Sequence, residues 1–394
     1  MSSPGLPSET AFKVLCRLSR TAFTAEQITA VSSCSFPGTD WKEVIQLAEH
    51  HGVLSLVARN LIDYSKRLPP AIERDLQEAR RLSLIRGLWF SSELASIMRR
   101  FEAEQIPVLP FKGPVLAQSA YGDSALRDFS DLDFLLSASN VQRAKQSLAD
   151  IGYRPSKELS SAVERFWMRS GYEQSFDGPA GRNLVELQWA LLPRFYAVDL
   201  PVESLLARAG NVTVCDKQMP CLSAEDSLLA LSIHAAKHLW GRLIWLVDIA
   251  ETVRAENLDY NLLRSNAKQL GVARMVAVTF WLAQNLLDLR LSPIAQEMID
   301  HDSKIAVLGE LFANRISRAA TYHFESTEYF KFIFRLRERR LDRIKYLWRL
   351  LSTPGQGDLD AVKLPEALFP LYRVVRVARL LRRCRRKVVP VANQ

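Results

Sequence analysis

The chain has 394 residues, 48% hydrophobic and 24% charged, a composition that excludes wholesale disorder. Its net charge of +9 is unevenly distributed, because residues 335–387 carry +11 and the rest of the chain −2. Nucleic-acid binding through positive charge is therefore expected only in residues 335–387. No apolar stretch reaches the roughly 20 residues of a membrane span, and the first residues lack the pattern of a secretory signal. Five scattered cysteines predict free thiols and a cytoplasmic location.

The first hundred residues have helical periodicity, clearest over residues 41–61 and 82–101. The pattern changes at residues 106–111, a short apolar run bounded by proline and glycine that predicts a strand. Residues 131–136 and 183–191 are two further strand candidates. Between these two, Ser139 and Gln142 have the spacing of a capping box, and Gly152 stands where a helix would end.

Helical periodicity returns at Ser223, which is placed to cap the N-terminus of a long helix. Residues 262–289 and 329–351 are predicted to be helical, residues 353–370 are interrupted by proline and glycine, and residues 371–387 form a basic helix. This order predicts an α+β fold. A helical region at 1–102 and a second at 223–394 flank a sheet domain at 103–222.

The most informative segment is FKGPVLAQSAYGDSALRDFSDLDFLL, residues 111–136. Asp131 and Asp133 are two residues apart on a predicted strand, so both carboxylates point to one face. Two like charges on one face repel each other unless a cation lies between them, and hard oxygen ligands suit Mg²⁺. Glu186 is a third acid in the middle of a predicted strand, where an unpaired carboxylate is costly.

The neighbours of this acid pair matter, because an isolated pair is also typical of a solvated strand edge. Lys112 and Gly113 follow an apolar strand and precede a short helix, an arrangement in which phosphate approaches backbone N–H groups. Arg127 is four residues before Asp131, close enough to act as a counter-charge to a triphosphate.

These residues resemble the polymerase-β-like nucleotidyltransferase superfamily and, more narrowly, an uncharacterised bacterial nucleotidyltransferase-like family with the pattern KG…Y…R…DxDhL…A…L…GY. The matching positions are Lys112, Gly113, Tyr121, Arg127, Asp131, Leu132, Asp133, Leu135, Ala144, Leu148, Gly152 and Tyr153. LAEHHGV at 47–53 and HAAKHLWGRLIWLVDIA at 234–250 extend the resemblance over most of the chain. The chain departs from the family at Gln188, where a histidine is frequent.

The resemblance implies a minimal nucleotidyltransferase domain with a mixed sheet. Asp131, Asp133 and Glu186 would be the catalytic residues and would bind Mg²⁺ or Mn²⁺. The nucleotide, an NTP such as ATP, would be bound by Lys112, Gly113, Arg127 and Ser130. A nucleoside monophosphate would move to a hydroxyl of a small molecule, peptide, protein or RNA, and the family context favours peptide or natural-product biosynthesis.

Three side chains are candidates for the acceptor site: Gln188, His234 and His238. The two histidines are four residues apart on one predicted helix, a spacing that also fits a zinc pair or ordinary packing. In the basic helix, arginines recur every three or four residues, which predicts either a solvated surface helix or a site for an acidic partner, RNA or anionic membrane. Two rival hypotheses are a non-catalytic binding scaffold that uses this helix and a toxin-like transferase acting on tRNA.

Overall fold

The computed structural model describes residues 8–32, 39–65, 68–179, 181–320 and 326–385. Its helices are α1 (Glu9–Leu18), α2 (Ala25–Ser32), α3 (Trp41–His51), α4 (Leu54–Tyr64), α5 (Pro70–Ala103), α6 (Gly113–Tyr121), α7 (Val141–Asp150), α8 (Ser161–Ser170), α9 (Val202–Ala207), α10 (Ala224–Lys237), α11 (Leu243–Ala255), α12 (Tyr260–Gln269), α13 (Ala273–Leu287), α14 (Pro293–Asp300), α15 (Lys304–Ser317), α16 (Thr327–Leu336), α17 (Arg340–Ser352), α18 (Gln356–Ala361) and α19 (Tyr372–Arg385). Short 3₁₀ turns occupy Ala138–Asn140, Arg194–Tyr196 and Glu366–Leu371.

The strands are β1 (Val108–Phe111), β2 (Leu132–Leu136), β3 (Arg154–Pro155), β4 (Glu173–Gly178), β5 (Gly181–Gln188), β6 (Gly210–Val214) and β7 (Lys217–Cys221). The first five form a mixed sheet in the order β1-β2-β5-β4-β3, and β6 and β7 form a separate hairpin. Within the sheet only β2 and β5 pair in parallel, as far as the described residues go. The predicted α+β class is confirmed.

The two faces of the sheet have different surroundings, which leaves one face available for polar groups. Leu132, Phe134 and Val185 pack with side chains of α5 and α7 on one face. On the other face Leu135 packs with Leu205 of α9 and Ala230 of α10 in a smaller apolar cluster. Side chains alternate along a strand, so Asp133 and Glu186 belong to this second face, toward α10.

The helices before and after the sheet share one hydrophobic core. Buried side chains of α1, α3 and α4, such as Leu15 and Leu56, belong to the same cluster as those of α10, α11 and α13, such as Leu246 and Phe280. The division at residues 102 and 222 stays a prediction about domains, but the two helical regions pack together.

Three predicted helices are each divided in two. Gly52 and Gly271 adopt positive φ angles of 69° and 64°, which end α3 and α12. Such a left-handed residue stops a helix at little strain only when it has no Cβ. The stretch 329–351 divides at Arg337, whose backbone is extended and whose buried guanidinium donates to the Ala197 carbonyl at 3.2 Å.

Of the three predicted features at helix ends, two are confirmed and one is wrong. Ser223 caps α10 as predicted, since its hydroxyl accepts from the Asp226 N–H at 3.2 Å. Gly152 follows α7 with a positive φ of 93°, also as predicted. The capping box at Ser139 and Gln142 was wrong, because Ser139 lies in a 3₁₀ turn and Gln142 donates instead to Glu164 of α8.

The basic helix α19 turns part of its arginine row inward. Arg376 is fully buried, lies 5.3 Å above the Phe195 ring and donates to the Leu350 carbonyl. Both Arg376 and Arg379 form ion pairs with the buried Asp358. The expected row of solvated arginines is therefore partly structural; the last predicted residues, 386 and 387, lie outside the described ranges.

No described helix combines the length and the apolar character needed to cross a lipid bilayer. Cys16, Cys215 and Cys221 are free thiols, as predicted; Cys34 lies outside the described residues, as does the side chain of Cys384.

Candidate active site

Three carboxylates converge on the face of the sheet toward α10. Asp131 immediately precedes β2, Asp133 lies in β2, and Glu186 lies opposite Asp133 in the parallel β2–β5 register. One carboxylate oxygen from each residue lies within 4.8 Å of those of the other two. Glu186 therefore lies close to both aspartates, and we refer to the three residues as the carboxylate triad.

The triad is electrostatically strained without a cation. Burial, followed by the neighbouring charge of Asp133, raises the pKa of Asp131 to about 6. The pKa of Glu186 is raised to about 8, first by burial and then by the neighbouring carboxylates, that of Asp133 above all. A divalent cation would relieve this repulsion, and three hard oxygen donors at this spacing fit Mg²⁺ or Mn²⁺.

Gln188 connects two members of the triad. Its side-chain amide donates to Asp133 Oδ1 at 2.8 Å and to Glu186 Oε2 at 3.1 Å. The side chain is buried, at 5% exposure. A neutral amide here holds both carboxylates in place without adding a charge, so the residue orients the triad whatever else it contacts.

The turn after β1 brings a lysine to the triad. Lys112 and Gly113 both have positive φ, 61° and 49°, which is strained for a lysine. The turn directs the Lys112 ammonium to 3.7 Å from Asp133 Oδ2 and 4.7 Å from the centre of the Phe111 ring. It also begins α6 close to the loop before β2, since a Cβ on Gly113 would lie 3.6 Å from the Asp131 carbonyl oxygen.

Arg127 requires a correction. Instead of facing the sheet face as a free counter-charge, its guanidinium is buried and donates to both carboxylate oxygens of Asp248, at 2.7 and 2.9 Å. Tyr121 donates to the same carboxylate at 2.7 Å. Two residues of the KG…Y…R pattern thus fasten the loop before β2 to α11, and Arg127 acts as a positioning residue behind Asp131.

Of the remaining predicted residues, Ser130 is exposed next to Asp131, His234 lies in α10, and His238 directly follows that helix. The imidazoles are 4.6 Å apart, and His238 stacks on Trp245 at 4.9 Å. Burial lowers the pKa of both well below its usual range, followed by the charge of Lys112 for His234 and of Lys237 for His238. Within the described residues no third ligand joins them in a metal cluster, which disfavours zinc.

Sequence reasoning missed a buried polar group on the far side of Glu186. Lys237 of α10 is 9% exposed, donates to the Tyr172 hydroxyl at 2.9 Å and lies 4.8 Å above the Tyr172 ring. Tyr172 in turn donates to Glu173, which pairs with Gln188 across β4 and β5. Burial lowers the pKa of Lys237, whereas the charges of Glu173, Glu186 and Asp133 act in the opposite direction.

A cavity of about 550 Å³ opens beside the triad. Ser175 and Glu173 of β4 form part of its wall, and the Ser175 hydroxyl donates to Glu186 at 3.4 Å. Trp167 of α8 and Tyr372 of α19 add aromatic surface. A ligand bound there would contact Ser175, whose hydroxyl is hydrogen-bonded to Glu186, rather than the triad itself.

A family model described as "Uncharacterised nucleotidyltransferase" matches residues 37–288 of the chain. The matched region contains every member of the triad, the Lys112 turn and the Arg127–Asp248 pair, whereas α14 to α19 lie beyond it. A search of curated proteins gave no match.

Proposed function

The chain belongs to this family of uncharacterised nucleotidyltransferases, and from that premise we propose that it transfers a nucleoside monophosphate from an NTP to an acceptor hydroxyl, with a divalent metal held by the carboxylate triad. Convergence of the triad carries the proposal. Three acids with oxygens within 4.8 Å of one another are costly to hold together unless they serve a cation. In a purely structural scaffold, the repulsion among three carboxylates would bring no benefit.

The metal site would consist of Asp131, Asp133 and Glu186. When bound, Mg²⁺ or Mn²⁺ supplies positive charge to the phosphate oxygens of the nucleotide and lowers the pKa of an oxygen bound to it. Gln188 keeps two of the carboxylates oriented through its amide hydrogen bonds.

The triphosphate would lie along the Lys112 turn. The ammonium of Lys112 and the N–H groups at the start of α6 are positive and lie on the Asp133 side of the triad. Ser130, exposed and adjacent to Asp131 in the chain, is a further candidate for these phosphates. We assign the β- and γ-phosphates to these groups and leave Arg127 the task of holding the loop.

Glu186 is our candidate for the proton acceptor. The acceptor oxygen would attack the α-phosphorus, the bond to pyrophosphate would break, and the hydroxyl proton would pass to the Glu186 carboxylate. Burial and the neighbouring carboxylates raise the pKa of Glu186 in the metal-free protein, so the carboxyl would first lose its proton when the cation binds and could then accept one from the hydroxyl. The cavity lined by Ser175 and Trp167 is the proposed approach for the acceptor, with His234 and His238 as further candidates at the end of α10.

Labelled nucleotides test this function. The protein is incubated with Mg²⁺ or Mn²⁺, a lysate of the source cell, and each of the four NTPs labelled at the α- or at the γ-phosphate. We expect label from the α-position, but not from the γ-position, to join an acceptor. We also expect Glu186→Gln to reduce transfer at least ~100-fold, the scale of a lost base or metal ligand.

Glu164→Gln is the matched control, because Glu164 is a half-buried carboxylate that pairs with Lys145 away from the triad. It should transfer label like the wild type. Transfer from the γ-position alone would identify a phosphotransferase, and equal transfer by Glu186→Gln would remove the residue from the mechanism.

A further inference from the structure

A second cavity, of about 770 Å³, is lined by arginines. They come from four separate elements: α8, the 3₁₀ turn after β5, α17 and α19. The five arginines are Arg165, Arg169, Arg194, Arg349 and Arg373, against a single acidic lining residue, Glu366. We call this the arginine cavity; only part of its wall belongs to the region that the family model matches.

The charges in the arginine cavity are incompletely neutralised from within the chain. Arg165 pairs with Glu366, and Arg349 is held by Asp199. Arg194 donates to the Arg169 carbonyl, which is not a charged partner. Arg169 and Arg373 are exposed and pair with no carboxylate in the part of the chain that the structure describes. The cavity therefore presents guanidinium donors that an anionic ligand would satisfy.

The same cavity contains aromatic surface. Trp348 of α17 is 71% exposed, and Phe166 of α8 lies in the wall. An exposed indole beside unpaired guanidinium groups is the combination used for single-stranded nucleic acid, in which bases stack and phosphates are neutralised. An acidic peptide has no bases that could stack on the indole. A membrane is bound by a flat or convex basic surface, whereas this site is concave.

We propose that the arginine cavity binds single-stranded nucleic acid. Phosphates would contact Arg169 and Arg373, which with Arg194 are the cavity arginines without a carboxylate partner among the described residues, and a base would stack on Trp348. The opposite side of α8 lines the cavity beside the carboxylate triad, because Val163 and Trp167 face that cavity whereas Arg165 and Arg169 face this one. A strand bound here would lie next to the candidate active site, but binding itself requires neither NTP nor metal.

The test is fluorescence anisotropy with a fluorescein-labelled, mixed-sequence RNA of 12 nucleotides, in EDTA and without NTP. For the full-length protein we expect log K to fall with log[KCl] with a slope of about −2, from the three arginines without a carboxylate partner at about 0.7 each. Removing two contacts by Arg169→Ala with Arg373→Ala should reduce the slope by about 1.4 and the affinity at least about fivefold.

Two further variants separate the cavity from overall charge. Trp348→Ala should weaken binding about fivefold or more while leaving the salt slope unchanged, since it removes stacking and no charge. Arg340→Ala with Arg382→Ala removes the same net charge from exposed positions outside the cavity and should bind like the wild type.

Equal losses in both double-arginine variants, or unchanged binding in the Arg169 and Arg373 variant, would overturn the proposal. So would preferential binding of a poly-glutamate peptide or of phosphatidylserine vesicles over RNA. Asp131→Asn with Asp133→Asn should leave RNA binding intact, which keeps this result independent of the transfer activity.

Discussion

Replacing Glu186 by glutamine removes one negative charge from the triad and little volume. We expect the metal-free protein to become more stable, although the same change removes a residue of the proposed reaction. The Glu186 pKa of about 8 lies above its value in the unfolded chain, near 4.5, so the folded state keeps a proton that the unfolded state releases. The free energy of unfolding of the wild type therefore falls as the pH rises through this interval.

The size of the effect follows from the same geometry. Between the unfolded-state pKa of Glu186, near 4.5, and pH 7 there are about 2.5 pH units. At 1.36 kcal/mol per unit, the wild type loses roughly 3 kcal/mol of unfolding free energy over this interval. Two like charges at the 4.8 Å limit repel by about 3.5 kcal/mol at an effective dielectric constant of about 20. We expect Glu186→Gln to gain about 1–3 kcal/mol, which for a chain of this length raises Tm by about 1–4 °C.

Thermal melts in EDTA at pH 5, 7 and 8.5 measure this. The advantage of Glu186→Gln should be small at pH 5, where the wild-type carboxyl is protonated, and should grow toward pH 8.5. Glu164→Gln is the control of opposite sign: burial acts to raise the Glu164 pKa, but the hydrogen bonds from Lys145 and Gln142 hold it below its usual range, so this variant should gain nothing. A variant that is less stable than the wild type at pH 8.5, or a difference that does not grow with pH, would refute the reasoning.

Three other substitutions have distinct expected outcomes. Arg127→Met should lower the free energy of unfolding by about 3–5 kcal/mol in chemical denaturation, because Asp248 is left buried without its cation. Adding Asp248→Leu to this variant should recover part of that loss. If Arg127 were instead an unpaired arginine that binds phosphate, neither effect would be seen. Lys112→Met should weaken NTP binding at least about tenfold in calorimetric titrations while leaving the apo protein folded, the loss expected for a charge-assisted contact. Gln188→Ala should reduce turnover in the label-transfer assay by no more than about tenfold, the scale of lost orienting hydrogen bonds, and a loss as large as that of Glu186→Gln would contradict its neutral role.

The sequence predicted the triad because its signals are local. Alternation along a strand places Asp131 and Asp133 together, and a lone acid in an apolar strand marks Glu186. The sequence does not predict how the strands align with one another. It is this register that places Asp133 opposite Glu186 and Gln188 opposite Glu173.

Two of the misses, Arg127 and Lys237, originate in contacts between distant segments. Arg127 precedes the acid pair in sequence, but its partner Asp248 is 121 residues away, and no local pattern joins them. Lys237 lies between the two histidines that the sequence singled out, but only the folded structure shows that it contacts Tyr172, 65 residues away. The helix breaks at Gly52 and Gly271 had a local signal, since glycine is the usual residue at helix ends. The prediction missed them because it followed only the apolar periodicity, which continues across each glycine.

The central claim is that the carboxylate triad holds a divalent metal together with a nucleotide. Its most direct test is the electron paramagnetic resonance signal of free Mn²⁺, titrated with the protein in the presence of α,β-methylene analogues of ATP, CTP, GTP and UTP in turn. With at least one analogue, we predict that the wild type removes Mn²⁺ from solution and that a folded Asp131→Asn with Asp133→Asn variant removes none beyond what the analogue binds alone. Equal uptake by the wild type and the variant with every analogue would contradict the account.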